Sequence, residues 1–565
     1  MQPFAHNTLD PWSGGRVVVV AQRAVLCRVY AGFLEGPRRV SELVVPTLVS
    51  GELQAQLNRA RAAPYLQVFP ACGRVPCHDL YVLPYLSGQV EYVSCRASLQ
   101  NVSTALLERV FYHEIRPSVF EAPAVPTSGQ LGLLLKPFLD RLRHKVNRLT
   151  PVPLLEYPSR TYRGRKLALY QRAAEVVASR GSARSDANLS TFLKHEKLPS
   201  GRKRVVPRVI QPRRPEYNVA VGRYLHQLEH FLYRDVDSVF GRPTVMKGYN
   251  AFEQGAMFSR EWARYRVPAA LGLDASRFDQ HVSVPLLRWE HAVYDLYYRS
   301  PELRQLLSWQ LLNKGYARVG DGLVKYAVRG GRCSGDMNTA MGNCLDMCAL
   351  VYGLLAKLGF VRASRTTVSL FNNGDDCVLI GELEDIRRVE EAVVAYFALA
   401  GFVMKVEPVV SVLEEVSFCQ TNPVHDGSEW RMVRNPRASV SKDATLLGRQ
   451  FAEYPRLSSQ LHAIGSCGLA LTSGMPLLQQ YYMTMRLSGS PGGGVDERFY
   501  GTGFYQMSRG LEAHVVPVTA EARVSFARAF GIVPDLQVAL EDELAGLGAL
   551  RFGDVHDRAI PTLML

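Results

Sequence analysis

"SLFNNGDDCVLIG", residues 369–381, is the stretch on which the fold turns. Two apolar, strand-like runs flank a turn, and Asn373-Gly374 is a strong short hairpin signal. Asp375 and Asp376 then stand side by side at the tip, where like charges repel. A second acidic signature precedes it, "LGLDASRFDQHVS" at 271–283. There "AALGLD" reads as a buried strand ending at Asp274, and Asp279 follows where the chain turns into a helix. A strand-end aspartate beside a hairpin-tip pair makes a carboxylate cluster that must bind cations to be tolerated. Such all-oxygen ligands select Mg²⁺ or Mn²⁺ over zinc.

Between the two lies "GGRCSGDMNTAMGNCLDMCALVYGLL", 330–355. Gly330, Gly331 and Gly335 let the backbone approach a ligand closely. Ser334 or Asp336 can cap the helix that follows. On that helix Thr339 and Asn343 share a face, and a polar pair among apolar neighbours requires partners. Upstream, "KHEKLPSGRKRVVPRVIQPRR" (194–214) sets Lys194, Lys197, Arg202, Lys203, Arg204, Arg208, Arg213 and Arg214 against the single Glu196. Its alternating apolar pairs read as a folded basic hairpin, suited to lining something anionic. The periodicity predicts helices over 167–179 and 384–400, then a strand "FVMKVE" carrying Lys405, and mainly helix beyond 430.

A chain of 565 residues is expected to form two or more subdomains, and 21% charged residues argues against wholesale disorder. The formal charge of +14 favours a polyanionic partner, nucleic acid before an anionic membrane. Ten scattered cysteines and no signal peptide point to a reduced, cytosolic compartment. Cys72, Cys77, His78 and Cys95 are candidate zinc ligands, although their loose spacing leaves buried free thiols as the default. No run reaches the ~18 uncharged apolar residues that span a bilayer. The closest approach, 17–34, carries Arg23 and Arg28. No G-x4-GK[ST] phosphate loop appears, which disfavours a helicase or NTPase.

In order the chain reads "PRVIQPR", D-x4-D, SG-x3-T-x3-N and GDD. This arrangement resembles the motifs of viral RNA-dependent RNA polymerases. "DASRFDQHVS", "RCSGDMNTAMGN" and "NNGDD" look most like the tombusvirus-like replicases, in the group related to the flavivirus-type enzymes. The resemblance implies an α+β right hand with an antiparallel palm sheet. Residues 1–150 are then an N-terminal extension or part of the fingers, 151–265 fingers, 266–425 palm with finger helices at 284–329, and 426–565 a mostly helical thumb. It implies two Mg²⁺ or Mn²⁺ ions on Asp274, Asp375 and Asp376, with Lys405 protonating pyrophosphate. Asp279, Thr339 and Asn343 become ribose readers, with Ser334 and Gly335 adjusting to template and nucleotide. Lys194, Lys197, Arg204 and Arg208 line the path of the incoming nucleotide, and Phe418, Cys419 and Gln420 support the primer strand. An aromatic residue at the position of Asp279 is typical of reverse transcriptases; the acid favours ribonucleotides. The implied partners are single-stranded RNA template, nascent RNA and rNTPs, with a membrane-anchored viral replication protein and host factors, in the host cytoplasm at membrane-associated replication complexes. The other readings are a non-catalytic RNA-binding or structural protein and a reverse-transcriptase-like polymerase.

Overall fold

Two of the expected strands, Pro268–Ala275 and Asp376–Glu382, pair antiparallel at the centre of a four-stranded sheet. Ser369–Asn373 and Met404–Val406 flank them, also antiparallel. The computed structural model describes residues 65–550 apart from 76–79, 84–85, 87, 89, 117–118, 201–204, 364, 453 and 494. The run 17–34, Arg204, and Cys77 and His78 of the zinc proposal lie outside the described residues. Among the described residues Cys72, Cys333, Cys344, Cys348, Cys377, Cys419 and Cys467 are free thiols.

The central strands are covered on both faces, which explains their continuous apolar sequence. Successive side chains point to opposite faces. Cys377 and Leu379 enter one core with Cys344, Cys348, Val389 and Phe397 of the helices Thr339–Lys357 and Leu383–Leu399. Val378 and Ile380 enter another with Phe258 and Met432, from the helix Ala251–Trp262 and the strand Trp430–Arg434. Each such apolar side chain contributes about 1.5–3 kcal/mol by burial. An unpaired charge in mid-strand would forfeit that, so polar residues collect at the strand ends.

The hairpin turn differs by one residue from the Asn-Gly expectation. Asn373 pairs with Asp376, leaving Gly374 and Asp375 as the two turn residues. Gly374 has φ +89, the left-handed region that glycine tolerates. The buried Asn372 side chain closes the turn by bonding the Gly374 carbonyl at 2.7 Å and its N–H at 3.2 Å.

The region 284–329 is only partly helical. Helices Val284–Tyr298 and Pro301–Ser308 give way to a hairpin, Leu312–Val319 with Gly322–Arg329. The physical reason lies in "NKGYARVGDGLVKYAV", whose period-2 alternation around Gly-Asp-Gly is a strand signal. Tyr65–Pro70 and Leu189–Ser190 extend this hairpin into a second sheet. Beyond 430 the chain is mainly helical, as its periodicity predicts, with a core that includes Leu461, Tyr481 and Phe526. Residues from the N-terminal part join it: Leu80–Val82 pairs with Thr445–Leu447. The basic segment does fold as a ribbon, Phe192–Leu193 against Val209–Ile210, while Leu198–Pro199 pairs with Tyr92–Val93.

Among the described residues one helix, Thr339–Lys357, is long and apolar enough to cross a membrane by length and composition. It is the central core helix here, 83% buried over its most apolar window.

His281 is a buried imidazole whose Nδ1–H donates to the Gly401 carbonyl at 2.8 Å, its ring 5.0 Å from that of His113. Burial pushes its pKa down to about 4, against a support from the Gly401 bond. The unfolded chain therefore binds the extra proton below about pH 6.5, and the folded chain does not. Stability is full above that value and falls as pH drops from 6.5 to 4, by at most about 1.4 kcal/mol per unit for this group. Urea unfolding at pH 7.5, 6 and 5 should show a shallower acid loss in His281→Gln; parallel curves would reject the assignment.

Candidate active site

The register places Asp274 opposite Asp376 on one side and opposite Lys405 on the other. Three charged residues thus emerge at one end of the sheet, next to Asp375 in the turn. Lys405 Nζ lies 3.9 Å from Asp274 Oδ2, with both side chains well exposed, so this ion pair is weak. Asp375 stands at the tip, and the surrounding protein, then the charges of Asp279 and Asp274, raise its pKa. Asp376 is pushed up to about 6, first by burial and then by Asp375 and Glu407. A Cys419 N–H donated to Asp376 Oδ2 at 2.9 Å only partly offsets this.

Asp279 sits in the short helix Phe278–His281, entered through Arg277 at φ +50. The loop that follows Gly330 is laced to it. The Gly331 N–H donates to the Val282 carbonyl at 2.8 Å and the Arg332 N–H to that of Asp279 at 2.7 Å. Ser334 Oγ then donates to Asp279 Oδ2 at 2.5 Å, and Asn343 Nδ2 to Asp279 Oδ1 at 2.8 Å. Asp279, Ser334 and Asn343 are therefore one network. Thr339 is not part of it: its hydroxyl lies 3.0 Å from the carbonyls of Cys333 and Asp336. Neither Ser334 nor Asp336 caps the helix; Asn338 precedes its first residue. Gly335, at φ +129, rests against the backbone of Gln211 and Pro212, where a Cβ would crowd them.

The basic ribbon divides by environment. Arg208 is exposed, donates Nε to Glu196 Oε1 at 2.7 Å, and lies within electrostatic reach of Asp375. Lys194 stands 3.7 Å from the same Glu196. Lys197 instead donates to the Lys442 carbonyl at 2.6 Å, and burial pushes its pKa down to about 8. Arg213 is fully buried against Asp336. Phe418 is buried too, with its ring 5.5 Å from Phe258, so it anchors a turn and does not face solvent. Phe418 and Thr421 exchange backbone bonds of 2.9 Å around Cys419 (φ +51) and Gln420 (φ +63).

Several groups near this site escape the sequence reading. Glu407 adds a further carboxylate, its pKa raised by burial and by Asp274. Lys247 bears electrostatically on Asp375, carried there because the 244–246 backbone pairs with Asn372. Arg332, Glu290 and Asp346 form a buried ion cluster. The available signal was Asp346, the single acid inside the apolar helix Thr339–Lys357, which demands a partner.

Among the described residues no three His, Cys, Asp or Glu side chains converge as a finished ion-binding group. Yet the carboxylates fit a hard divalent cation. They are all-oxygen donors, and burial, with the neighbouring acids adding to it, raises Asp375 and Asp376, a penalty on the charged forms that a bound cation relieves.

Comparison with known proteins gives a match to the family described as "Viral RNA dependent RNA polymerase" over residues 77–550. The RNA-directed RNA polymerase of turnip crinkle virus is 40% identical over 499 residues, covering 86% of this chain and 62% of the relative. That of tobacco necrosis virus (strain A) is 42% identical over 459 residues, 79% and 60%. That of tomato bushy stunt virus (strain Cherry) is 40% identical over 492 residues, 85% and 58%. The chain spans about three fifths of the length of these curated relatives.

Raised carboxylate pKa values cost the cation-free protein stability as pH rises from about 4 through 6. Water screens the exposed Asp375, so the effect is modest. Without divalent ions at pH 7.5, Asp375→Asn should melt about 1–3 °C above wild type, the difference vanishing near pH 4. Added Mn²⁺ should raise the wild-type Tm more than that of Asp375→Asn. Equal responses would show that Asp375 holds no cation.

Proposed function

Because this chain belongs to the viral RNA-dependent RNA polymerase family, we propose that it performs template-directed RNA synthesis from ribonucleoside triphosphates. The observation that carries this reading is the Asp279–Ser334–Asn343 network set beside the Asp274, Asp375 and Asp376 carboxylates. A 2′-hydroxyl is donor and acceptor at once, and an acid paired with an amide satisfies both functions. A protein that only bound RNA would have no use for such crowded carboxylates. A reverse-transcriptase-like site would exclude the 2′-hydroxyl at the position that Asp279 occupies.

In this reading Asp274 and Asp375 are the principal holders of two divalent cations, Mg²⁺ or Mn²⁺, with Asp376 assisting. Bound there, such ions lower the pKa of a 3′-hydroxyl and stabilise departing pyrophosphate. The protein's own contribution is positioning. The two-sided burial of the Asp274 and Asp376 strands fixes the carboxylates, and the bond from Cys419 orients Asp376. Arg208 and Lys194, with Arg204, meet the triphosphate of the incoming nucleotide. Lys405, exposed beside Asp274, is the group that returns a proton to pyrophosphate in this reading. The turn of Cys419 and Gln420 supports the growing strand, with Phe418 as its buried anchor. Lys197 serves the ribbon's attachment to the 436–443 helix rather than the nucleotide.

The corresponding architecture is a right hand. Residues 266–425 form the palm around the carboxylate-bearing sheet, and the mainly helical region beyond 426 forms the thumb. The fingers comprise 151–265 with the 312–329 hairpin, which the Tyr65–Pro70 strand of the N-terminal part extends. RNA template and nascent strand suit the net charge of +14. A membrane-anchored viral replication protein and host factors complete the proposed assembly, in the cytoplasm at membrane-associated replication complexes.

Purified protein with short single-stranded RNA, labelled rNTPs and Mn²⁺ or Mg²⁺ should yield RNA. Asp375→Asn should lose at least about 100-fold of the rate, the scale for removing one preorganised charged group. Full activity of Asp375→Asn would reject this site. Preference for dNTPs would favour the reverse-transcriptase reading, and RNA binding without synthesis the non-catalytic one.

A further inference from the structure

The loop after Gly330 carries a buried cation to which the mechanism above gives no task. The Arg332 side chain is 1% exposed, and its partners Glu290 and Asp346 are 0% exposed. Its guanidinium grips both oxygens of Glu290, on the helix Val284–Tyr298. It also donates to Asp346 Oδ2 at 3.1 Å, on the helix Thr339–Lys357. Its Nε–H donates to Asn343 Oδ1 at 3.0 Å. Gly342 lies directly beneath the guanidinium, and a Cβ there would run into it.

This contact decides which way round the Asn343 amide lies. With Arg332 donating to the oxygen, the amide nitrogen must face Asp279, to which it donates at 2.8 Å. The flipped amide would set its N–H against the Arg332 N–H and its oxygen against a carboxylate, two repulsive contacts in a buried site. Orientation thus passes from the ion cluster through Asn343 to Asp279. Glu290 is itself held by the Tyr294 hydroxyl at 2.7 Å and Asn338 Nδ2 at 2.7 Å, so the anchor does not swing.

We infer that Arg332 is a positioning residue for ribose selection, acting through Asn343 on Asp279 without touching the nucleotide. The inference rests on the polymerase reading.

The test is kcat and KM for a ribonucleotide and its 2′-deoxy counterpart, in wild type, Arg332→Lys, Asn343→Ala and the double variant, with Tm for each. Lysine keeps a buried positive charge for Glu290 but has no donor at the Nε position. Arg332→Lys should lower the ribo-to-deoxy ratio of kcat/KM about tenfold, the scale of one buried hydrogen bond, mainly through the ribonucleotide KM. Asn343→Ala should do the same, and the double variant should lose no more than either alone. Gly342→Ala alters no charge and displaces the guanidinium, so it should lower the ratio too and serves if Arg332→Lys does not fold. An unchanged ratio in either folded variant, or additive losses in the double variant, overturns the inference. A wild type that makes no RNA removes the polymerase reading and this inference with it; wild-type synthesis with unchanged ratios in the variants removes this inference alone.

Discussion

Burial of the Asp274 and Asp376 strands on both faces is the constraint from which the rest of the structure follows. A strand packed between two apolar layers has no face on which a charge can rest. Its carboxylate is forced to the end, where the sheet meets solvent. Because the pairing is antiparallel, a neighbouring strand's first residue meets this strand's last polar one, and Asp274 lands opposite Asp376. A slip of one residue would exchange Cys377 and Leu379 for Val378 and Ile380 in each core. Register and carboxylate geometry are consequently one property.

Buried arginines perform a related task for the loops. Arg213 ties the end of the basic ribbon to Asp336 and to the Ala187 carbonyl. Arg242 joins Glu261 to Ser369, the first residue of the Ser369–Asn373 strand, and to the Thr366 carbonyl before it. Arg332 joins two helices to the glycine loop. Each pair has surrendered its hydration, so its net stabilisation is small. What it confers is direction: a planar fork holds two segments in one relative orientation, which a lysine's point charge does not.

Much of this arrangement was legible in the sequence, and the legible part is local. Apolar runs ending in aspartate, glycines at the hairpin, and the helical spacing of 339–357 and 383–399 each declare themselves within a dozen residues. What escaped reading depends on distant partners. Of the basic ribbon, Arg208 stays exposed while Lys197 and Arg213 turn inward; their charge alone does not distinguish these fates. Thr339 and Asn343 share a helix face, yet loop carbonyls claim the first and Asp279 the second. The 312–329 hairpin was readable from its alternation but was masked by the helical pattern just before it. Lys247 reaches the site through the pairing of 244–246 with Asn372 and Glu407 through its N–H bond to the Gly272 carbonyl, partners more than a hundred residues apart that no short window on the sequence contains.

The closure between the N-terminal strand Leu80–Val82 and the helical C-terminal part sets an order of events during synthesis. The Tyr481 hydroxyl donates to the Leu86 carbonyl at 3.1 Å, 395 residues away in sequence. Leu86 and its neighbours leave the ribosome roughly 20–80 s before that partner exists, at ordinary elongation rates. Until then the backbone of Leu80–Val82 is an unpaired strand edge, and its apolar side chains lack the core that covers them. The sheet bearing the aspartates has all its strands by residue 406, well before this last junction can form. The sheet that carries the carboxylates therefore has its strands in hand before the junction of Leu80–Val82 with Thr445–Leu447 can close.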